Sequence, residues 1–354
     1  MVRFGVVLLG LLGLLAVASP ASAHVGGGEA GSDYDARILS VTPEVPGVTV
    51  RILQFGDEFE LVNETSTEIV VPGYSDEPYL RIGPDGVWRN ANSPATYLNL
   101  DRYGKAQPPA NADADADPDW EQVSTEPHYV WHDHRTHWMT QNQLPPVVQA
   151  DPTQVHTVAE WTVPLVHGGT DIAVEGVLTW TPPPAPAVTW PVYVGLVLLV
   201  LAAGLLARDA RPLGALMAVG AVAALWHAVM TPEPPTSLGS QTGAIVAALL
   251  PAGTAVLVAG VGVRAAWRGR GAMAGLMAVV LGWLFMVQGL PDVDVLWSAN
   301  VATNGPEFLA RAAVTVLVTF GVGLVVGGIA AVRRFREPDA TPRGSAARSA
   351  VPVS

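Results

Sequence analysis

The sequence predicts an all-β extracytoplasmic sandwich followed by an α-helical bundle of five transmembrane helices. The first observation is composition: half of the 354 residues are hydrophobic, only 14% are charged, and the mean hydropathy is +0.33, which is typical of a membrane protein. The second is a region of short, alternating or β-branched segments between residues 36 and 180. The third is a set of five long apolar stretches after residue 190.

The N-terminal segment, residues 1–23, has the pattern of a signal peptide. Arg3 precedes an apolar run from Phe4 to Val17, and Ala21-Ser22-Ala23 places small residues at both positions that signal peptidase inspects. We predict cleavage after Ala23, which would make His24 the mature N-terminus.

Residues 24–182 are predicted to form the β-sandwich, of the immunoglobulin- or cupredoxin-like type. Five segments have the alternation or the β-branched content of strands, and turn residues such as Pro84-Asp85-Gly86 separate them. The segments are Thr49 to Phe55, Phe59 to Val62, Thr67 to Val71, Thr157 to Val163 and Ile172 to Trp180. Residues 183–190 continue a proline-rich run and are predicted to be a stiff spacer.

Residues 191–332 are predicted to contain the five transmembrane helices, each near the ~20 residues that cross a bilayer. The stretches are Pro191 to Ala207, Leu213 to Met230, Gly243 to Val263, Ala272 to Leu290 and Ala312 to Val332. Arginines follow the first, third and fifth stretches, whereas the opposite loops carry mainly acidic residues. The positive-inside rule therefore places the arginine side, and a disordered tail of residues 333–354, in the cytoplasm. The large N-terminal domain then lies outside.

The charge is divided unevenly along the chain. Residues 24–186 carry 24 acidic and seven basic side chains, a net charge of −17, whereas the chain after residue 186 has a net charge of +4. An acidic domain repels phosphate backbones and concentrates cations, so we expect metal ions or basic partners and no nucleic acid. The chain has no cysteine, which excludes disulfides, thiolate metal sites and thiol nucleophiles.

Histidines are concentrated in one short segment of the predicted β domain. Four of the eight histidines of the chain fall within ten residues: His128, His132, His134 and His137. If the segment is a strand, the first three point to one face; if it turns after His134, His137 can join them. Imidazoles gathered in this way favour copper, or less strongly zinc, and Met139 adds a soft thioether ligand.

Other roles remain open for these residues. Asp133 can act as a metal ligand or can accept the second N–H of a ligating histidine and so fix its tautomer. His24, if it is the mature N-terminus, offers an amine and an imidazole to the same ion. Alternatively, the segment is a satisfied polar network in which Asp133 and Arg135 pair with neighbours, or a surface that recognises a protein or a glycan.

The predicted helices carry one ionisable side chain of interest. His227 lies near the outward end of the second stretch, and Met230 shares its helical face, so the two can form a transfer site for soft cations. The sequence contains no serine-centred elbow, no phosphate-binding glycine loop and no zincin helix. A non-enzymatic role is therefore favoured.

Three segments resemble a family of bacterial membrane proteins with an extracytoplasmic β domain. They are Gly73-Tyr74-Ser75-Asp76-Glu77-Pro78-Tyr79-Leu80, Arg89-Asn90-Ala91-Asn92-Ser93-Pro94-Ala95-Thr96-Tyr97 and Trp131-His132-Asp133-His134-Arg135-Thr136-His137-Trp138-Met139. The layout is also similar to that of copper-resistance proteins that join a small β-sandwich with an N-terminal histidine to a permease. Here the β domain is longer and five spans are few for that permease. The resemblance implies a multi-pass protein of the bacterial cell membrane, and it does not indicate which activity the protein has.

Together these observations predict a membrane-anchored extracytoplasmic metal-binding protein that captures or delivers copper. The predicted ligands are His132, His134 and His137, with Asp133, His128 and His24 as further candidates. The first alternative is an envelope scaffold that binds another envelope protein without metal. The second is a small metal transporter. The lipid bilayer is the expected environment in each case.

Overall fold

The computed structural model describes residues 29–336. The predicted signal peptide, His24 and residues 337–354 of the predicted tail lie outside the described residues. The strands are β1 (Gly31–Ser32), β2 (Tyr34–Thr42), β3 (Val48–Leu53), β4 (Glu58–Asn63), β5 (Ile69–Pro72), β6 (Pro78–Gly83), β7 (Gly86–Asn90), β8 (Trp120–Ser124), β9 (His128–His132), β10 (His156–His167), β11 (Thr170–Trp180) and β12 (Asn300–Val301). The helices are α1 (Pro94–Leu98), α2 (Pro146–Ala150), α3 (Pro186–Leu205), α4 (Arg211–Val229), α5 (Gln241–Trp267), α6 (Gly271–Gly289) and α7 (Glu307–Arg334).

The strands β2 to β11 form what we call the β domain. Seven strands make one antiparallel sheet in the order β2-β11-β10-β5-β6-β7-β8, and β3-β4-β9 make a second antiparallel sheet. Alternate residues of the two sheets share one buried core, in which Phe59 and Trp131 of the small sheet meet Leu80, Val163 and Leu165 of the large one. The predicted sandwich is confirmed in this form, whereas the immunoglobulin- or cupredoxin-like type stays a prediction.

The first predicted strand ends earlier than its alternation suggested. The prediction extended to Phe55, but β3 ends at Leu53. Gln54 and Phe55 both have left-handed backbone conformations, with φ of 53° and 59°, and such residues cannot continue a strand. The tight turn that follows brings Gly56 and Asp57 into the β domain.

Helices α3 to α7 form what we call the helical domain. All five are long and apolar enough to cross a membrane, as is expected of a multi-pass membrane protein. Their ends differ from the prediction by up to five residues, most at the starts of the first and the last helix. The helix α3 begins at Pro186 rather than at residue 191, because a proline in the first helical turn sacrifices no backbone hydrogen bond. The connection from β11 is correspondingly shorter than the predicted spacer.

Helix α7 is the most buried of the five and packs against α3, α4 and α6. Glycines allow these helices to approach closely. A Cβ at Gly204 of α3 would overlap the backbone carbonyl of Gly327 in α7, and a Cβ at Gly275 of α6 would lie 2.7 Å from the carbonyl oxygen of Gly328. Small residues at helix contacts are a common basis of packing in membranes, where apolar side chains gain little from leaving lipid.

The β domain is joined to the helical domain by a small junction sheet as well as by the chain. Strand β1 pairs with β12, which lies in the loop between α6 and α7. The carboxylate of Asp294 in the same loop accepts hydrogen bonds from the backbone N–H groups of Ala30 and Gly31. Asp33 in turn accepts a hydrogen bond from the N–H of Ala299.

A second contact joins the small sheet to the loop between α4 and α5. The guanidinium of Arg51 on β3 pairs with Glu60 on β4 and also lies 3.3 Å from Glu233 of that loop. The carboxylate of Glu60, which is fully buried, accepts a 2.6 Å hydrogen bond from the N–H of Thr236. Both loops therefore lie at the end of the helical domain that faces the β domain, and the arginine-rich loops lie at the opposite end.

Candidate functional site

The histidine-rich segment is a strand only as far as His132. It then turns at Asp133, whose carbonyl accepts a 3.1 Å hydrogen bond from the N–H of Thr136 and whose carboxylate accepts the N–H of Arg135. An aspartate that bonds the N–H two residues ahead is typical of a turn. Of the two arrangements that the sequence allows, the structure therefore has the turn, which begins at Asp133 rather than after His134.

Asp133 is fully buried and is engaged by groups other than histidine. Its carboxylate accepts 2.9 Å and 2.6 Å hydrogen bonds from Trp131 Nε1 and from the guanidinium of Arg135. The guanidinium also lies over the ring of Tyr74, 5.2 Å from its centroid. Asp133 thus anchors the turn inside the sandwich, and neither of its predicted metal-site roles appears in its contacts.

His132 and His134 each use one ring nitrogen to hold a backbone carbonyl. His132 Nδ1 lies 2.9 Å from the carbonyl oxygen of Asp57, and His134 Nε2 lies 2.9 Å from that of Asp101. A carbonyl oxygen only accepts, so each of these nitrogens donates its hydrogen. In a neutral imidazole the other nitrogen, His132 Nε2 or His134 Nδ1, then carries a lone pair.

His137 lies beside His134 and is buried. The two rings are perpendicular, with their centroids 5.6 Å apart, and the side chain of His137 is only 4% exposed. Its Nδ1 is 3.4 Å from the carbonyl of Trp138, while its Nε2 is buried and makes no hydrogen bond within the described part of the chain. A buried ring nitrogen without a hydrogen bond destabilises the folded protein unless a ligand binds to it.

Met139 and His134 both lie close to Gly104. Gly104 has a φ of +62°, and a Cβ built there would lie 2.9 Å from Met139 Cε and 3.3 Å from His134 Cε1. The methyl end of the thioether and the imidazole therefore meet over a position that only glycine leaves open. The structure thus gathers His134, His137 and Met139 at the turn.

A cavity of about 400 Å³ opens next to His137. Asp57, Arg102, Tyr103 and Trp138 also line it, and Arg102 Nε lies 2.9 Å from Asp57 Oδ2. Burial raises the pKa of Asp57 to about 6, against the opposing effect of Arg102. Burial also lowers the pKa of His137 to about 4 and lowers the pKa of His134, so both imidazoles are neutral at pH 7.

The remaining candidate histidines lie elsewhere. His128 stands four residues before His132 on the same strand, about 13 Å away at the usual strand rise. His156 bonds the carbonyl of Asp151, and His167 bonds Thr65. Among residues 29–336, no group of three or more histidines and carboxylates is arranged to hold a metal ion. The three-histidine site stays a prediction: the rings of His134 and His137 are in contact, whereas His132 bonds the carbonyl of Asp57, whose carboxylate lies 3.9 Å from His137 Nδ1.

Several residues of the site had no signal in the sequence. Asp57, Asp101 and Arg102 come from loops far from the histidine segment, and their types and spacing are those of ordinary surface residues. Gly104 is the exception in principle, because a glycine after Tyr103 indicates a turn, but nothing in the sequence links that turn to Met139. The chain matches no protein-family model, no curated protein and no solved structure to which it was compared.

Proposed function

We propose that this protein is a membrane-anchored copper-binding protein whose β domain captures copper(I) with His134, His137 and Met139. The observation that carries the proposal is His137: its Nε2 is buried and has no hydrogen bond from the described residues, and its ring packs edge-on against the ring of His134. Two imidazoles and a thioether form a soft donor set without cysteine. The set is smaller than the predicted one, and it replaces His132 and Asp133 with Met139.

The hydrogen bonds of His134 support this assignment. Metal-ligating histidines commonly donate their second N–H to a backbone carbonyl, which fixes the ring and its tautomer. His134 has this arrangement, because Nε2 donates to Asp101 and Nδ1 faces the space beside Gly104 and Met139. Burial favours the neutral form of both rings, which is the form that binds metal.

The donor set favours copper(I) over zinc. Structural zinc sites are almost always closed by four nitrogen, sulfur or oxygen ligands. Here the nearby carboxylate, Asp57, is paired with Arg102, and the described residues contain no group of three or more histidines and carboxylates that could hold a metal ion. A thioether is preferred by the softer copper(I) ion. Copper(I) would be the cargo that the protein captures or delivers.

The location of the site supports capture outside the cytoplasm. The arginine-rich loops lie at the end of the helical domain away from the β domain, and the positive-inside rule assigns that end to the cytoplasm. The acidic β domain then faces the compartment from which the cell acquires metal ions, and its negative charge concentrates cations near the site. The signal peptide pattern agrees with this orientation.

The test is copper(I) affinity of the full-length protein in detergent, measured by competition with a chromogenic chelator under ascorbate. We expect His134→Ala together with His137→Ala to weaken binding at this site at least 100-fold. His156→Ala is the matched control, because His156 also bonds a carbonyl through Nε2 but lies outside the site. Unchanged binding at the site in the double variant would contradict the proposal.

Met139 provides a second, more selective test. Met139→Leu keeps the size of the side chain and removes the sulfur, so we expect copper(I) binding at this site to weaken about tenfold with no change in fold. Zinc binding, measured by calorimetry, should be unaffected by this substitution. Equal copper(I) affinity in wild type and Met139→Leu would remove Met139 from the ligand set.

A further inference from the structure

A second group of metal-ligand side chains lies at the end of the helical domain that faces the β domain. His227 in the last turn of α4 and Asp292 in the loop after α6 are close, with Nε2 and Oδ2 3.0 Å apart. Their side chains are 14% and 2% exposed. An imidazole and a carboxylate at the edge of a transmembrane bundle are costly to bury and often mark an ion site.

Met230 completes this group. It follows His227 by three residues and lines the same small cavity as His227 and Asp292. The loop between α6 and α7 holds Met230 in place: Asn304 N–H bonds its carbonyl, and a Cβ at Gly305 would lie 2.8 Å from its sulfur. Contacts with this loop therefore position Met230 at the cavity that His227 and Asp292 also line.

From this group we infer a second cation site, formed by His227, Met230 and Asp292 and selective for copper(I) through its thioether. Two ligands each about 2.0–2.1 Å from a tetrahedral ion are roughly 3.3 Å apart, close to the observed separation of 3.0 Å between Nε2 and Oδ2. The cavity has a volume of about 10 Å³, close to that of one water-sized sphere. A single ion therefore fits with small side-chain shifts.

The junction sheet covers the second site. Ala30, Val301 and Ala302 line its cavity, and Ala302 N–H donates a 2.9 Å hydrogen bond to the carbonyl of Ala30. Ser32 lies two residues after Ala30 and lines the cavity beside His137. Residues two apart in an extended segment are separated by about 7 Å, so the two cavities adjoin the same short strand. The second site is thus placed to receive an ion that the first site has captured.

Copper(I) stoichiometry of the full-length protein in detergent tests this inference separately from the proposed function. We expect wild type to bind two ions, His134→Ala/His137→Ala one, His227→Gln one, and the combination of all three substitutions none. If His227→Gln binds as many ions as wild type, the second site is overturned whatever the first site does. If His134→Ala/His137→Ala binds as many ions as wild type while His227→Gln binds one ion fewer, the first site is overturned and the second is supported.

A second variant keeps His227 and Asp292 and tests whether a loss of copper(I) binding could result from misfolding. Met230→Leu preserves volume, the imidazole and the carboxylate, so we expect the fold to persist and copper(I) affinity at the second site to fall about tenfold. The measurement is made in the His134→Ala/His137→Ala protein, in which only the second site remains. Unchanged affinity there would overturn the ligand set. Loss of thermal stability in His227→Gln with unchanged stoichiometry would identify His227 and Asp292 as a structural ion pair only.

Discussion

The side chain of Asp133 determines how the neighbouring histidines are oriented. Its buried carboxylate is surrounded by Trp131 Nε1 and by the guanidinium and backbone N–H of Arg135, which leaves it no capacity for histidine. Asp133 and Arg135 therefore fix the shape of the turn, and this shape directs His134 and His137 toward each other.

The first prediction concerns this buried pair. Asp133→Asn should destabilise the protein by about 3 kcal/mol, because it leaves the mostly buried guanidinium of Arg135 without its counter-charge. Chemical unfolding in detergent, followed by tryptophan fluorescence, measures the change. Asp115→Asn, at an exposed position in the loop between α1 and β8, is the control and should have little effect. Equal stabilities of the two variants would argue against an anchoring role for Asp133.

The second prediction concerns pH. Burial holds the pKa of His137 near 4, so between pH 6.5 and 4 the unfolded chain binds a proton that the folded chain does not; this contribution to stability is lost as pH falls. Asp57, whose pKa is raised to about 6, has the opposite effect: its contribution is present below pH 4 and is lost as pH rises to about 6.

Replacing one of these two residues should therefore leave the pH dependence that the other residue gives to the stability. Compared with wild type, the melting temperature of Asp57→Asn should fall more steeply as pH drops from 6.5 to 4, and that of His137→Gln should fall less steeply. Each effect is on the order of 3 kcal/mol over its window, since one pKa unit corresponds to about 1.4 kcal/mol. Parallel pH profiles for all three proteins would contradict this assignment.

At the scale of elements, the sequence predicted periodic segments well and loop contacts poorly. Five long apolar stretches necessarily become helices in a membrane, because only a helix satisfies its own backbone there. The alternating segments similarly require two sheets that share a core. By contrast, alternation alone allows either a strand through His134 or a turn, and the turn forms because the side chain of Asp133 accepts a hydrogen bond from the backbone N–H of Arg135.

The candidate site was predicted only in part for the same reason. The cluster of histidines indicated the right segment, and His134, His137 and Met139 lie together in the structure. However, the groups that orient His132, His134 and His137 are the backbone carbonyls of Asp57, Asp101 and Trp138, and every residue has a carbonyl. Backbone acceptors leave no trace in residue type, so no sequence pattern could have distinguished His132 from His134.

The third prediction concerns helix packing. Gly204→Ala should separate α3 from α7, since its Cβ would overlap the carbonyl of Gly327. Gly253→Ala on α5 is the matched control, because a Cβ there meets no atom within 4 Å, and this change should be neutral or slightly stabilising. Thermal unfolding in detergent compares the two. A stable Gly204→Ala protein would show that this close approach is not required.

At the scale of the whole molecule, the contact between Arg51, Glu60 and the α4–α5 loop links the two domains. Arg51→Ala would leave the buried carboxylate of Glu60 without its counter-charge, so we expect faster amide hydrogen exchange in residues 231–240 with little change inside the helices. Arg37→Ala removes an exposed pair with Asp35 and is the control. Unchanged exchange in the loop would mean that the junction sheet alone joins the domains.

The proposed orientation can also be tested on the whole chain. Because the chain has no cysteine, Asp115→Cys and Arg268→Cys each introduce a single thiol, one in the β domain and one in the loop between α5 and α6. We expect a membrane-impermeant maleimide to label the first in intact cells and the second only after permeabilisation. The reverse pattern would place the β domain in the cytoplasm.

The pairing of Gly31 with Val301 has a consequence for biosynthesis. The ribosome makes β1 before any other described strand and makes its partner, β12, only after α6. Until these later residues have been made, the backbone groups of β1 and the N–H groups of Ala30 and Gly31 cannot form their native hydrogen bonds. The domain junction can thus be completed only after α6 has been made, and a chain that stops after α5 would retain its sandwich but could never close that junction.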